Sequence, residues 1–167
     1  VFGSVAPALS GALTVVSSGK TEVFENVKPI LEKIAVEIFH LEAPSSATKM
    51  KLINNLCLGS FMATLAECTA LAENCDIPKA KALEILGVGG GQSLVLKAKT
   101  QKLIDEDFSA HFSNNAINKD LHLLQDLAYN LKLPLYSAAV PKELYSKMKM
   151  MGKGEEDFSS IYQLFKK

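Results

Sequence analysis

The stretch ATKMKLINNLCLGSFMATLAECTALA, residues 47–72, decides how the rest of the chain is interpreted. Pro44 and the hydroxyl residues Ser45 and Ser46 come before it, which is a helix-start signal, and no proline interrupts it. These features predict one long helix. Because the stretch is apolar on every side, we expect the helix to be buried among other helices.

The first turns of this helix carry four polar side chains that are costly to bury without partners: Lys49, Lys51, Asn54 and Asn55. Lys51 and Asn55 are four residues apart and therefore share one helix face. Burial lowers the pKa of a lysine toward neutrality, which suits a group that exchanges a proton with a substrate oxygen. The spacing leaves two interpretations open, an ordinary solvated lysine or an acid–base group beside an amide.

The composition is that of a globular protein, with 48% hydrophobic and 22% charged residues. Its 18 basic residues, all lysine, balance 18 acidic residues, so we expect no nucleic-acid and no membrane partner. Three cysteines without C-x-x-C spacing predict small core residues in a reducing, cytoplasmic compartment. Three scattered histidines give no support for a metal site. The apolar run 56–72 also suits a membrane span, but Glu67 within it favours a core helix.

A strand–helix–strand pattern precedes the long helix. It predicts strands over residues 12–17 and 35–41, with a helix over 22–34 capped by Thr21. Two strands do not form an independent sheet, so we expect a third element or a larger sheet that continues upstream of Val1.

From Pro44 onward the pattern predicts helices and no strand, whereas residues 1–11 lack helical periodicity. The later predicted helices begin at Pro78, at Ser93, at an Asn114 or Asn115 cap, at Ser137 and at Phe158. The GVGGG segment at 87–91 departs from the G-x-G-x-x-G phosphate motif, which leaves a plain helix break or a close backbone approach to a ligand. Lys119 and Asp120, taken alone, predict an ordinary exposed ion pair.

Four motifs together resemble the C-terminal half of the β-hydroxyacid dehydrogenase family. They are GALTVVSSG at 11–19, KMKLINN at 49–55 continuing into GSFMATLAE at 59–67, NKDL at 118–121 and DFSSIYQL at 157–164. The family includes 3-hydroxyisobutyrate dehydrogenase and the glyoxylate and succinic semialdehyde reductases, and 6-phosphogluconate dehydrogenase is a more distant relative. The resemblance covers essentially the whole chain, and its most specific part is KMKLINN followed by NKDL.

The resemblance implies a mainly α fold in two parts. Residues 43–167 would form the multi-helical C-terminal substrate and dimerisation domain of the 6-phosphogluconate dehydrogenase-like type. Residues 1–42 would be a residual strand–helix–strand from a truncated Rossmann domain, whose glycine fingerprint is absent from this chain.

The resemblance also assigns site residues. The family's catalytic lysine falls on Lys51, and its companion asparagine falls on Asn55. The implied substrate-binding residues are Gly3, Ser4, Asn54 and Asn55, the implied cofactor-binding residues are Lys119 and Phe112, and no metal ligand is implied.

These residues imply an NAD(P)-dependent oxidoreductase that acts on a small β-hydroxyacid or on the corresponding oxo-acid or semialdehyde, of the glyoxylate or succinic semialdehyde type. Lys51 would be the general acid for reduction and the base for oxidation. We expect a cytoplasmic homodimer or tetramer that assembles through the helical domain and uses NADP or NAD. The alternatives are a catalytically silent helical oligomerisation module of the same fold and, from the methionines at 148–151, a helical partner-binding domain.

Overall fold

The computed structural model describes residues 1–166, and most of them are helical. The elements are α1 (Val5–Leu9), β1 (Leu13–Ser18), α2 (Thr21–Leu31), β2 (Ala35–Leu41), α3 (Ser46–Asn74), α4 (Lys79–Leu86), α5 (Leu94–Asp105), α6 (Asn114–Asn130), α7 (Tyr136–Met150) and a C-terminal 3₁₀ helix (Phe158–Leu164). The predicted strand–helix–strand followed by a helical part is confirmed. The chain divides into two compact units, Val1–Asn54 and the part from Asn55 onward. The boundary after residue 42, between the implied Rossmann remnant and the helical domain, stays a prediction.

The first unit contains a two-stranded parallel sheet formed by β1 and β2, in which Val15 pairs with Ile38 and Ser18 pairs with Leu41. On the other side of β1, Phe2 makes an isolated antiparallel bridge with Thr14. The Phe2 N–H donates to the Thr14 carbonyl at 2.8 Å. Within the described chain, the two strands of the sheet therefore have one further partner, the single residue Phe2.

The apolar faces of this unit are largely exposed. Val15 is the buried residue of β1, and α2 contains no buried residue. Val23 and Ile30 of α2 are more than half exposed. The predicted Thr21 cap is wrong, because Thr21 is already helical and Lys20 precedes it as the cap residue without a side-chain bond. The helix also ends at Leu31, three residues before the predicted end.

Helix α3 begins at Ser46, as the start signal predicts, and runs unbroken for 29 residues. The expectation that it is buried on all sides is wrong, because Phe61 is 50% exposed and Leu71 is 65% exposed. By length and composition alone α3 could cross a membrane, yet 44% of its most apolar 18-residue window is buried within the described structure. A core helix of a globular protein meets the same criteria.

The second unit has a core of its own, to which α3, α4, α5, α6, α7 and the 3₁₀ helix all contribute. Its largest fully buried side chains are Tyr145, Tyr162, Phe158, Met62, Leu83, Leu103, Ile117, Leu121, Met148 and Ile161. In α6 and α7 these side chains lie three or four residues apart, which is the spacing that predicts amphipathic helices.

Side-chain caps fix several helix starts in this unit. Ser93 accepts a hydrogen bond from the Leu96 N–H and begins α5, as predicted. At α6 the cap is Ser113, which accepts from the Ala116 N–H, so the predicted cap at Asn114 or Asn115 is wrong. Asp157 caps the 3₁₀ helix by accepting from the Ser159 N–H.

Two smaller predictions are also wrong. Residues Val5–Leu9 form a short helix although the sequence there lacks helical periodicity. Cys57 and Cys75 are exposed rather than packed in the core, and Cys68 is half-buried.

Gly59 allows α3 and α6 to approach each other closely. A Cβ atom placed on Gly59 would lie 3.2 Å from Leu121 Cδ1 and 3.6 Å from Ile117 Cδ1, both on α6. Glycine in the middle of a helix is unfavourable by about 1 kcal/mol relative to alanine, so the packing offsets a local penalty. This close approach at Gly59 also sets the distance between the α3 and α6 side chains that lie one helical turn from it.

We expect Gly59→Leu to destabilise the protein by roughly 1–2 kcal/mol, because overpacking of the helix contact exceeds the gain in helix propensity. Urea unfolding followed by circular dichroism measures the change. Thr64→Leu, on an exposed position of the same helix, serves as the control and should change stability by less than about 0.5 kcal/mol. Equal stabilities for the two variants would contradict a close contact at Gly59.

Candidate active site

A buried hydrogen bond joins α3 to α6. Asn55 Nδ2 donates to Asp120 Oδ2 at 2.7 Å, and the two side chains are 65 positions apart in sequence. Asn55 is 5% exposed and Asp120 is 2% exposed. Because a carboxylate only accepts hydrogen bonds, the contact fixes the orientation of the Asn55 amide, with Nδ2 toward Asp120 and Oδ1 directed away from it.

Lys119 and Asp120 differ sharply in their surroundings, which corrects the expectation of an exposed pair. The Lys119 side chain is 64% exposed, whereas the Asp120 side chain is 3% exposed. Lys119 Nζ lies 3.2 Å from Asp120 Oδ1. The carboxylate thus has an amide partner on one oxygen and an exposed ammonium near the other.

Two further polar residues of the KMKLINN motif, Lys51 and Asn54, lie on α3 and are partly exposed. Helix α3 is continuous through this motif, so Lys51 and Asn55 are one turn apart on the same face. Lys49, two positions before Lys51, is exposed.

Gly3 and Ser4, the predicted substrate-binding residues of the N-terminal segment, lie in the first unit just before α1. Gly3 has a φ of 113°, a conformation that L side chains rarely adopt, and a Cβ there would be 2.9 Å from Leu13 Cδ2. Ser4 is half-buried, and its carbonyl accepts from the Ala8 N–H at 3.1 Å. The backbone conformation and the close contact at position 3 therefore require glycine there.

Phe112, a predicted cofactor-binding residue, lies in the segment that leads into α6 and is half-buried. Its ring packs edge-to-face on Phe158, with centroids 5.8 Å apart. Its carbonyl accepts from the Phe158 N–H at 2.9 Å. Phe112 and Lys119 both belong to the second unit, with Asn55 and Asp120.

A second buried carboxylate, Asp157, holds this segment. Asp157 is 0% exposed, and Lys99 Nζ lies 2.8 Å from its Oδ1 and 2.9 Å from its Oδ2. Burial alone would raise the pKa of Asp157, but hydrogen bonds from Lys99 and Ser159 and the charge of Lys99 outweigh burial, and the pKa lies below its ordinary value. Asp157 is therefore an ionised carboxylate at neutral pH.

Sequence reasoning missed Asp120, Lys99 and Asp157 as important residues. A signal existed for the first two, since Asp120 falls on the same helical face as Ile117 and Leu124, and Lys99 lies four residues after Val95, which is also buried. A charge on an apolar helical face predicts a buried, partnered group. Within residues 1–166, no cluster of three or more His, Cys, Asp or Glu side chains could hold a metal ion.

The architecture defines a class of protein in which a parallel strand–helix–strand unit is followed by a multi-helical domain, with polar groups concentrated on the first long helix and on α6. A family model described as NAD-binding of NADP-dependent 3-hydroxyisobutyrate dehydrogenase matches residues 45–165. A second, described as the NAD-binding domain of 6-phosphogluconate dehydrogenase, matches residues 1–42. The chain belongs to the 3-hydroxyisobutyrate dehydrogenase-like family of β-hydroxyacid dehydrogenases, as the motifs predict.

Individual relatives agree with this assignment. The chain is 31% identical over 166 residues to 2-(hydroxymethyl)glutarate dehydrogenase of Eubacterium barkeri, covering 99% of this chain and 55% of that protein. It is 32% identical over 162 residues to the cytokine-like nuclear factor N-PAC of Anopheles gambiae, covering 97% of this chain and 29% of that protein. The crystal structure of 3-hydroxyisobutyrate dehydrogenase from Salmonella typhimurium has a TM-score of 0.91 at 27% identity, with 98% of this chain and 57% of that chain covered. The chain thus spans about half the length of the dehydrogenases it matches.

We expect Asp120→Ala to destabilise the protein by about 1–3 kcal/mol, because the buried Asn55 amide loses its carboxylate acceptor. Asp126→Ala removes an exposed carboxylate from the same helix and should change the free energy of unfolding by less than about 0.5 kcal/mol. Thermal and urea unfolding of both variants measure the difference. A similar small effect for both would contradict the energetic importance of the Asn55–Asp120 contact.

The ionised Asp157 should also make the free energy of unfolding depend on pH in the acidic range. Its pKa is lower in the folded protein than the ordinary aspartate value of about 3.9, so its stabilising contribution is complete above about pH 5 and is lost as pH falls through the folded pKa. Urea unfolding over a series of pH values below 5 should show a shallower loss of stability for Asp157→Asn than for the wild type. Parallel pH profiles would show that the acid sensitivity arises from other carboxylates.

Proposed function

We propose that the full-length protein is an NAD(P)-dependent oxidoreductase that interconverts a small hydroxy acid and the corresponding carbonyl compound, with Lys51 as its general acid and base. The proposal rests on the family to which the chain belongs and on the presence of Lys51, Asn55 and Lys119 at the motif positions. The observation that supports it best is the buried hydrogen bond between Asn55 and Asp120, because it joins the helix that carries KMKLINN to the helix that carries NKDL.

Asn55 has a fixed amide orientation in this proposal. Its Nδ2 donates to Asp120 Oδ2, so its Oδ1 is the atom that would accept a hydrogen bond from a substrate hydroxyl. A fixed acceptor reduces the reorganisation needed when the hydroxyl gives up or regains its proton. Asn54, on the neighbouring helical position, would contribute to the same substrate contact.

Lys51 would exchange the proton. During reduction its ammonium would donate a proton from Nζ to the carbonyl oxygen, and during oxidation the neutral amine would remove the proton from the hydroxyl. Positioned acid–base groups contribute about 10²–10⁴ in rate. Asn55, one helical turn away, would align the oxygen with Nζ.

Lys119 and Phe112 would hold the cofactor. The Lys119 ammonium is largely exposed and can contact an anionic dinucleotide, and the half-buried Phe112 ring offers an apolar surface for a flat heterocycle. When bound, the nicotinamide supplies or accepts the hydride. The residues present thus suit the nicotinamide end of NAD or NADP, while the glycine-rich fingerprint for the pyrophosphate does not occur in this chain.

The substrate class follows from the relatives and from the chemistry of these groups. The two named dehydrogenase relatives are called after 2-(hydroxymethyl)glutarate and 3-hydroxyisobutyrate, which both combine a hydroxyl group with a nearby carboxylate. Glyoxylate and succinic semialdehyde likewise each combine a carboxylate with an aldehyde. We assign Gly3 and Ser4 to binding of this carboxylate on the motif alone. We further propose a soluble, cytoplasmic enzyme that assembles through its helical domain.

A second candidate is a catalytically silent helical oligomerisation module of the same fold. The similarity to the nuclear factor N-PAC favours it, because the name of that relative is not the name of an enzyme. Loss of acid–base chemistry is the feature that would distinguish such a module, so Lys51 is the discriminating residue.

We expect Lys51→Met to lower kcat/KM by about 10²–10⁴ while the protein still folds and binds the dinucleotide. The assay follows NAD(P)H absorbance in the full-length protein with glyoxylate, succinic semialdehyde, 3-hydroxyisobutyrate and 2-(hydroxymethyl)glutarate. Lys49→Met is the matched control, because Lys49 lies two positions earlier on α3 and points about 200° away around the helix. Its turnover should remain within about twofold of wild type.

Two results would count against the enzyme assignment. Wild-type turnover that persists in Lys51→Met would exclude this lysine as the acid–base group. No turnover by the wild-type protein with any of the four compounds and either dinucleotide would favour the silent module.

A further inference from the structure

The carboxylate of Asp157 has no part in the proposed proton transfer, yet it is among the most heavily hydrogen-bonded side chains of the second unit. It is completely buried, and its partner Lys99 is 5% exposed. Two buried charges in an apolar core are costly unless hydrogen bonds compensate them, so their retention calls for an explanation.

The two oxygens of Asp157 serve different segments. Oδ1 accepts from the Ser159 N–H at 3.1 Å and from the Ser159 hydroxyl at 2.7 Å, which fixes the start of the 3₁₀ helix. Oδ2 accepts from the His111 N–H at 3.0 Å and from the Phe112 N–H at 3.3 Å. Lys99 Nζ contacts both oxygens. One carboxylate thus joins the 3₁₀ helix to the segment that precedes α6.

Backbone contacts reinforce this link. The Asp157 N–H donates to the Phe108 carbonyl at 2.9 Å, and Ser113 forms an antiparallel bridge with Asp157. Lys99 Nζ lies 4.8 Å from the centroid of the Phe158 ring, and the Phe112 ring packs against that same ring. Both the backbone and the ring of Phe112 are therefore held by residues that contact the Asp157–Lys99 pair.

The same segment sets the start of α6. Ser113 follows Phe112 directly and caps α6 through the Ala116 N–H. Lys119 lies less than two turns further along that helix. A displacement of the 111–113 segment would therefore move Phe112 and alter the helix start that leads to Lys119.

We propose that Asp157, neutralised by Lys99, is a positioning residue for cofactor binding. It holds Phe112 and the start of α6 in the arrangement that receives the nicotinamide end of the dinucleotide. This inference rests on the proposed function of Phe112 and Lys119. It assigns to the DFSS motif a role in cofactor affinity in addition to capping the 3₁₀ helix.

The test is Asp157→Asn in the full-length protein. Asparagine has one acceptor oxygen in place of the two of aspartate. That oxygen can accept from Ser159 or from the N–H groups of residues 111 and 112, but not from both. The NH₂ group then faces the remaining donors and cannot accept from them. We expect the dissociation constant for NADPH or NADH, measured by fluorescence titration, to rise roughly tenfold. The KM for the hydroxy acid and kcat at saturating cofactor should change by no more than about twofold.

Ser159→Ala is the matched control, because it removes the hydroxyl that donates to Oδ1 and leaves the Oδ2 contacts with His111 and Phe112 in place. It should lower thermal stability without changing dinucleotide affinity. Amide hydrogen exchange in Asp157→Asn should speed up at residues 111–113 and remain slow in the middle of α6. Equal dinucleotide affinity in Asp157→Asn and Ser159→Ala would overturn the inference, even if both variants are destabilised.

If Asp157→Asn folds poorly, the test uses Lys99→Gln instead. This variant removes the positive charge of Lys99 and keeps a hydrogen-bond donor for the Asp157 carboxylate. We expect the same selective loss of dinucleotide affinity, and wild-type affinity in Lys99→Gln would overturn the inference. The proposed function fails separately, through an inactive wild-type protein or an active Lys51→Met variant. A wild-type protein that turns over substrate while Asp157→Asn binds the dinucleotide normally would overturn only the positioning role.

Discussion

The second unit is organised around the need of two buried carboxylates for hydrogen-bond donors. Asp120 receives the amide of Asn55 from α3, and Asp157 receives Lys99 from α5 together with the backbone of residues 111 and 112. Because an unpaired buried carboxylate is strongly unfavourable, these donors cannot move far without destabilising the fold. The same requirement that stabilises the helical unit therefore also fixes the Asn55 amide and the backbone of Phe112, to which we assign substrate and cofactor contacts.

Much of this fold could be predicted because its elements obey local rules. The start of α3, the serine cap of α5 and the second strand follow directly from cap residues, proline positions and β-branched runs. Predictions failed where tertiary contacts decide. The exposure of Phe61 and Leu71 on α3 depends on which neighbours cover the helix, and an apolar pattern on all sides does not specify that. The choice of Ser113 over Asn114 as the α6 cap likewise depends on Asn114 being fully buried, where its side chain donates to the Lys153 carbonyl and to Ser160.

The site was less predictable than the fold. Lys51 and Asn55 share a helical face, which spacing alone reveals, but their functional roles came from family resemblance and remain proposals. Asp120 was misjudged because its neighbour Lys119 suggested an exposed ion pair, whereas the helical period places it with Ile117 and Leu124 on the buried face. Asp157 could be recognised in advance only as a helix cap, since its contacts with residues 111 and 112 span about 45 positions and have no local signature.

The two units differ in whether they satisfy their own apolar surface. The helical unit buries large side chains such as Tyr145 and Tyr162 completely, whereas the strand–helix–strand unit buries Val15 and leaves Val23 and Ile30 mostly exposed. Parallel strands are normally covered on both faces, and two strands alone are too few to form a stable sheet. The strand–helix–strand unit therefore leaves apolar surface that its own two strands and helix do not cover, whereas the helical unit covers its core by itself. In the proposed function, Phe112 and Lys119 belong to this self-sufficient helical unit, so the cofactor contacts that we assign to them are held by a core that does not depend on the strand–helix–strand unit.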